Sequence, residues 1–289
     1  MEQAYQIRIK KSAIRKKQAI KTAVIYLLLT AGAVAFAFPF IWMVSVSLRP
    51  PEEVAAPGIH LIPSKIVWSN YVRALTTAPF HLYLLNTLKV TLLAVIGTLI
   101  SSSLAAFAFA RLRAPGKDIL FLLVLSTIML PAEVTMIPRF VIFRTMGWYD
   151  TLLPLIVPAF FGNAFYIFLI RQFFLTIPRD LEDAAKMDGC STFGIFRHIF
   201  LPLSKPVLVT VTVFSFVTHW NDFMTPLVYL NSVDKRTLAL GLATFQDSWG
   251  VDIVSLMAAS TAVLIPVLVV FFIAQRYFVQ GVIMSGIKG

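Results

Sequence analysis

Six polar or aromatic residues of this chain stand within or beside apolar surroundings where such groups could act on a solute: Glu133, Asn163, His219, Trp220, Asn221 and Asp222. A polar solute held in such a site needs hydrogen-bonding partners and an apolar face, and this set offers both. The same residue types also serve as hydrogen-bond links between packed helices. Glu133 and Asp222 fall at similar depth in their apolar stretches, which fits a polar path, a proton-coupling pair, or two carboxylates near the headgroups. Enzymatic chemistry is not expected. The Gly116-Lys117 pair lacks the spacing of a phosphate-binding loop, and no H-E-x-x-H, C-x-x-C or G-x-S-x-G pattern occurs. The four histidines (His60, His81, His198, His219) lack ligand spacing, and the single cysteine, Cys190, has no partner in the chain.

A second polar stretch, Arg171 to Pro206, is too charged to cross a membrane and too patterned for a linker. Pro178 suits the start of a helix, and Asp180, Glu182 and Asp183 then lie near its positive end. Gly189 is placed to end that helix in a left-handed conformation, and Ser191 to cap a second one. On the second, Phe193, Phe196, Ile199 and Phe200 make an apolar stripe, and Pro202 is expected to stop it. Such a stripe suits a protein partner, packing against the chain's own spans, or the lipid interface.

The elements that must hold these groups are set by composition. Of 289 residues, 58% are hydrophobic and 13% charged, against about 45–50% and about 25% in a soluble domain. The excess cannot be buried in one water-soluble core, so the chain reads as an integral membrane protein. Charges bracket four uninterrupted runs: Thr22 to Leu48, Val90 to Ala110, Thr151 to Ile170 and Ile253 to Gln275. Two interrupted runs, Ile119 to Phe143 and Pro206 to Leu230, are read as further spans, the first with a re-entrant segment as its alternative. The expectation is six spans, at about 22–48, 84–110, 119–143, 151–171, 206–230 and 253–276, within a permease domain over 22–283. A basic tail (1–21) precedes them, and a loop (172–205) lies between the fourth and fifth.

Seventeen of the Lys and Arg residues fall on the side that holds the tail, the Arg111–Lys117 loop, the 171–205 loop and the C-terminal Arg276 and Lys288; seven fall on the other. That asymmetry puts both termini in the cytoplasm. It also accounts for the net charge of +11 through topology and anionic lipid, with no nucleic acid needed. The N-terminal apolar run is too long for a cleavable signal peptide.

The stretch Asp183-Ala184-Ala185, three residues, Gly189, nine residues, then Ile199-Phe200-Leu201-Pro202 resembles the EAA motif of ABC importer permeases, E-A-A, three residues, G, nine residues, I-x-L-P. Asp183 replaces the first Glu of the motif and shortens its reach. Glu182, Asp188, Asn70-Tyr71, Asn86-Thr87 and Trp220-Asn221-Asp222 are similar to the carbohydrate-importer, maltose-type G branch. The resemblance implies an all-α, type I importer permease fold of six spans in the cytoplasmic (inner) membrane of a prokaryote. It implies a coupling surface formed by Glu182, Asp183, Ala184, Ala185, Asp188, Gly189, Phe193, Phe196, Ile199, Leu201 and Pro202.

It further implies a second homologous permease subunit, two ATPase subunits that carry ATP and Mg, and an extracytoplasmic sugar-binding protein. No cofactor or metal is then expected on this chain. The function expected is passage of a sugar or oligosaccharide, with a polyol or glycerol phosphate as the same-family alternative. A different class, an ion-coupled secondary transporter or channel subunit, would rest on Glu133 and Asp222 instead.

Overall fold

A computed structural model of the chain describes residues 2–55, 61–247 and 250–285, with side chains described for 18–54, 61–246 and 251–275. His60, Lys288 and the side chains of residues 1–17 of the basic tail and of Arg276 lie outside those residues. The chain divides into two compact units, Met1–Val72 with Asp252–Thr261, and Arg73–Val251 with Ala262–Gly289.

In the first unit, helix α1 covers Glu2–Ser47 without a break. The stretch set apart by sequence as a tail continues the helix, because it contains neither Pro nor Gly. Short α2 (Pro51–Ala55) follows, and α3 (Ser69–Thr76) opens at the unit's edge. The buried Asn70 closes the end of α1: its amide donates to the carbonyls of Ser47 and Arg49 at 3.0 and 2.8 Å, groups that a helix terminus leaves without an intrahelical partner. Tyr71 Oη stands 2.8 Å from Ser47 Oγ. The Asn70-Tyr71 pair is thus a helix-end clasp.

The second unit is built around α4, Phe80–Arg111. Its buried face carries small residues, among them Thr87, Thr91, Ala94, Gly97, Thr98, Ser102 and Ala106, which let other helices approach closely. At Gly97 the approach is complete: an added Cβ would lie 2.5 Å from the Phe160 ring. After Arg111 the chain turns through Pro115 and a left-handed Gly116 into α5 (Lys117–Ser126), followed by α6 (Ala132–Thr145). Then come α7 (Leu153–Ile156), α8 (Ala164–Thr176), α9 (Arg179–Met187), α10 (Thr192–Ile195), α11 (Leu201–Leu203), α12 (Lys205–Trp220), α13 (Met224–Tyr229) and α14 (Leu238–Leu242). A two-residue antiparallel pairing, Gln246–Asp247 with Gly250–Val251, precedes α15 (Ile253–Ser285), the last helix, which runs from the first unit into the second. The architecture is otherwise helical among the described residues.

Among the described residues, four helices are long and apolar enough to cross a membrane: Gln18–Ser47, Phe80–Arg111, Leu153–Thr176 and Ile253–Gln275. Two helix pairs are bent, one within the first interrupted run and one just before the second. The stretch Lys117–Met129 meets Ala132–Thr145 at 100°, and Thr192–Leu203 meets Lys205–Trp220 at 78°. The first bend falls at Leu130-Pro131, where proline has no amide to continue the ladder. The run expected over 206–230 is helical only to Trp220, breaks at Asn221–Phe223 and resumes in α13.

Candidate functional site

The stretch 178–204 folds as a helix, a glycine turn and a second helix. Gly189 has φ +77, a conformation that costs an L-residue roughly 1–2 kcal/mol. The amides of Gly189 and Cys190 close the α9 end on the carbonyls of Lys186 and Ala185 at 3.0 and 2.9 Å. Ser191 caps α10, its Oγ accepting from the Gly194 amide at 3.1 Å.

The second helix differs from expectation in one respect. It does not stop at Pro202. Residues Phe196–Phe200 form a π-helical turn in which the Leu201 amide donates to the Phe196 carbonyl. The chain therefore reaches Pro202, the residue with no donor, as the wide turn closes, continues to Leu203, and turns at the buried Ser204.

The apolar stripe divides. Ile195, Phe196 and Phe200 are buried, in one cluster with Phe107, Ile170, Phe174 and Val211. The Phe107 ring centroid lies 5.2 Å from Phe196, 5.0 Å from Phe200 and 6.3 Å from Phe174. Ile199, Leu201 and Ala185 pack against the edge of this nest. Phe193 is turned outward, 61% exposed, and Met187 is 88% exposed. The buried half of the stripe thus joins the second helix to α4, α8 and α12, and the exposed half faces outward.

One arginine completes the joint. Arg111, the last residue of α4, sends Nη2 to the Phe174 carbonyl at 2.5 Å and to the Ile177 carbonyl. Its guanidinium lies 4.9 Å over the Phe200 ring, and Nη1 is 3.9 Å from the Glu182 carboxylate. That last distance exceeds a hydrogen bond, so Glu182 meets the guanidinium through charge and not through a direct bond. Truncating a buried Phe costs about 3–5 kcal/mol. The aromatic nest therefore holds the two short helices, and Arg111 fixes their register on α4 and α8.

Glu182, not Asp183, is the carboxylate turned inward: their side chains are 14% and 69% exposed. Lys186 reaches both, at 2.7 and 3.6 Å, and its bond to Glu182 raises its pKa. Ala184 is exposed, and Asp188 is the exposed C-cap of α9.

The solute-path candidates are largely engaged in structural bonds. Asn163 caps α8, its Oδ1 accepting from the amides of Phe165 and Tyr166 at 3.0 and 3.3 Å. Trp220 is buried, donates from Nε1 to the Val263 carbonyl at 3.2 Å and stacks on Phe216. Asn221 donates back to the Val217 carbonyl at 3.0 Å. Asp222 accepts from the Thr225 amide at 3.1 Å and so starts α13. His219 is half-buried beside them. Glu133 lines a cavity of about 90 Å³ with Arg139, Thr225 and Tyr229, well below the roughly 300 Å³ of an ordinary ligand pocket. The described residues contain no group of three or more His, Cys, Asp or Glu that could hold a metal.

Sequence reasoning counted Arg111 only as a topological charge. The signal available was its place, the first charge after 21 uncharged residues.

At the other end of α4, Asn86 Nδ2 donates to the carbonyls of Asp234 and Arg236 at 2.8 and 3.1 Å, and Thr87 Oγ1 accepts from the Leu238 amide at 2.8 Å. Asp150, at φ +56, accepts from the Asn231 and Ser232 amides, both at 2.9 Å, from Ser232 Oγ at 2.5 Å and from Lys235 Nζ at 3.0 Å. Those bonds, that of the Ser232 hydroxyl foremost, hold its carboxyl well below the usual carboxylate range.

Residues 97–284 match the family described as "Binding-protein-dependent transport system inner membrane component". The chain is similar to the arabinooligosaccharides transport system permease protein AraQ of Halalkalibacterium halodurans, 35% identical over 91% of this chain and 96% of that protein. It is 32% identical to the maltose/maltodextrin transport system permease protein MalG of Salmonella typhimurium, over 95% of this chain and 98% of that one. Among solved structures, a chain of a bacterial ABC transporter involved in the import of the acidic polysaccharide alginate superposes with a TM-score of 0.80 at 28% identity, covering 90% of this chain and 96% of that chain.

Proposed function

The chain belongs to the inner membrane components of binding-protein-dependent transport systems, and from that premise we propose that it is the permease subunit that carries a sugar or oligosaccharide inward through the cytoplasmic membrane. In this reading the bent stretch Lys117–Thr145 and the broken stretch 206–230 each count as one span, giving six spans with both termini in the cytoplasm. A second, related permease completes the path. Two ATPase subunits, which hold ATP and Mg, bind beneath α9 and the second helix, and an outer binding protein delivers the solute. The carbohydrate substrate is supported by relatives named for arabinooligosaccharides, maltodextrin and alginate. A small cavity at Glu133 suits a path shared between two permeases better than a pocket enclosed by one.

The observation that carries the proposal is the joint itself. The α9–Gly189–α10 unit is packed into the ends of α4, α8 and α12, so a displacement imposed on its exposed side passes to those helices as one body. Driving such a two-state change from 1:99 to 99:1 takes about 5.5 kcal/mol of differential binding, which closure of two ATP sites in a partner can supply.

The test uses the one position where the turn demands a special backbone. No atom lies within 4 Å of a Cβ added at Gly189, so a substitution there acts through φ alone. With the transporter assembled, Gly189→Leu is expected to leave ATP hydrolysis and abolish uptake of the sugar. Gly189→Asn, which tolerates the left-handed region, is expected to restore most uptake. Normal uptake by the Leu variant would sink the coupling role. A panel of labelled sugars, polyols and glycerol phosphate in a deletion strain tests the substrate class separately.

A further inference from the structure

Beside the coupling joint lies a cleft of about 490 Å³, between the end of α4, the Leu112–Lys117 link, α9 and the start of α10. Five cations line it: Arg111, Arg113, Lys117, Arg179 and Lys186. The two carboxylates in its wall, Glu182 and Asp183, are both taken by Lys186. Arg113 and Arg179 have no ion pair among the described residues. Arg111, its side chain only 4% exposed, keeps its Nε buried without a hydrogen-bond partner. A concave site with a surplus of about three positive charges and low-dielectric walls concentrates anions.

What stands next to the cleft selects among anions. Lys117 opens α5, and the following residues Ile119, Leu120, Leu122 and Leu123 are 56–67% exposed. An oxyanion held by Lys117 and the arginines would therefore have an apolar, lipid-facing helix running directly away from it. Basic pockets between the ends of membrane helices hold the headgroups of anionic lipids. We propose that this cleft binds the phosphate-bearing headgroup of an anionic phospholipid, with its acyl chains along α5. The lipid then bridges the α4–α5 link and α9, the elements that the coupling joint connects. The shared chemistry, a phosphate oxyanion, could also come from free phosphate; the exposed apolar helix is what favours the lipid.

The test is native mass spectrometry of the assembled, delipidated transporter titrated with phosphatidylglycerol, phosphatidylcholine or inorganic phosphate. The lipid is read in detergent, so the result is independent of which side of the membrane the cleft faces. Phosphatidylglycerol is expected to be retained and phosphatidylcholine not. Lys117→Gln is expected to weaken retention about fivefold, and the triple variant Arg113→Gln, Lys117→Gln, Arg179→Gln on the order of a hundredfold, at roughly one basic contact each. The control pair Arg197→Gln and Lys205→Gln, also exposed but outside the cleft, is expected to change nothing. Equal retention of the two lipids overturns the proposal, as does equal loss in the control pair. Displacement of the lipid by millimolar inorganic phosphate overturns it in favour of a free ion. If the triple variant fails to assemble, an unchanged Lys117→Gln titration is sufficient to reject the site.

Discussion

The two ends of α4 are fastened in opposite ways. At the Arg111 end the joint is apolar, an aromatic nest of Phe107, Phe174, Phe196 and Phe200 with one guanidinium laid over it. At the Asn86 end it is polar, a set of directed bonds from Asn86, Thr87 and Asp150 onto the backbone of 231–238. Dispersion contacts hold by close fit over many atoms, whereas a strap of short hydrogen bonds fixes distance and angle at a few. The difference makes one end depend on ring packing and the other on a few directed donors and acceptors.

The largest effect that breaks this contrast is expected from Arg111→Ala. It leaves the carbonyls of Phe174 and Ile177 without their donor and bares the Phe200 ring, costing about 3 kcal/mol or more. Thermal unfolding of the purified protein should show that loss. Arg111→Lys should recover only part, because an ammonium cannot serve both carbonyls and stack on the ring.

Next in size is Asp150→Ala, expected to cost about 2 kcal/mol, since four donors lose their acceptor and Ala resists positive φ. Asp150→Asn keeps the backbone conformation and should cost less. The sign of its pH dependence follows from the depressed folded pKa. The carboxylate stabilises the fold above the unfolded value of about 3.9, and that contribution is lost as pH falls below it. Acid melting of the native protein should therefore lose a component below about pH 4 that Asp150→Asn lacks. Titration without any such difference would mean the polar clasp carries no weight.

The smallest effect is Ser191→Ala, which removes the cap of α10 at a cost of about 1 kcal/mol. Amide hydrogen exchange should rise over 192–196 while α12 stays protected, showing the coupling end as the softer one. Exchange that rises equally at 231–238 would erase the contrast.

Local chemistry was legible in the sequence, and distant pairing was not. Gly189 and Ser191 announce their turn and cap because each acts within four residues. The apolar runs announce α4, α8 and α15 because length and composition suffice. Arg111 meets carbonyls 63 and 66 residues away, and Asn86 meets carbonyls 148 and 150 away, separations that no local pattern encodes. The solute-path candidates carry structural uses for a related reason. In so apolar a chain, Asn163, Asn221 and Asp222 are needed to cap and restart broken helices, and those uses draw on the same side chains that a sugar would. The inward turn of Glu182 in place of Asp183 follows from the azimuth of α9 against α4, which spacing alone left open.

The wide turn at Phe196–Phe200 contains a residue more than an α-helical circuit needs. A helix advances about 100° of azimuth per residue, so that surplus sets the clocking of everything downstream against Gly189. Shortening the segment by one residue would close the wide turn to an α-helical one and bring the Pro202 ring against the carbonyl four residues before it. Chimeras that exchange this part between related chains must therefore conserve the number of residues between Gly189 and Pro206 before they conserve any side chain within it.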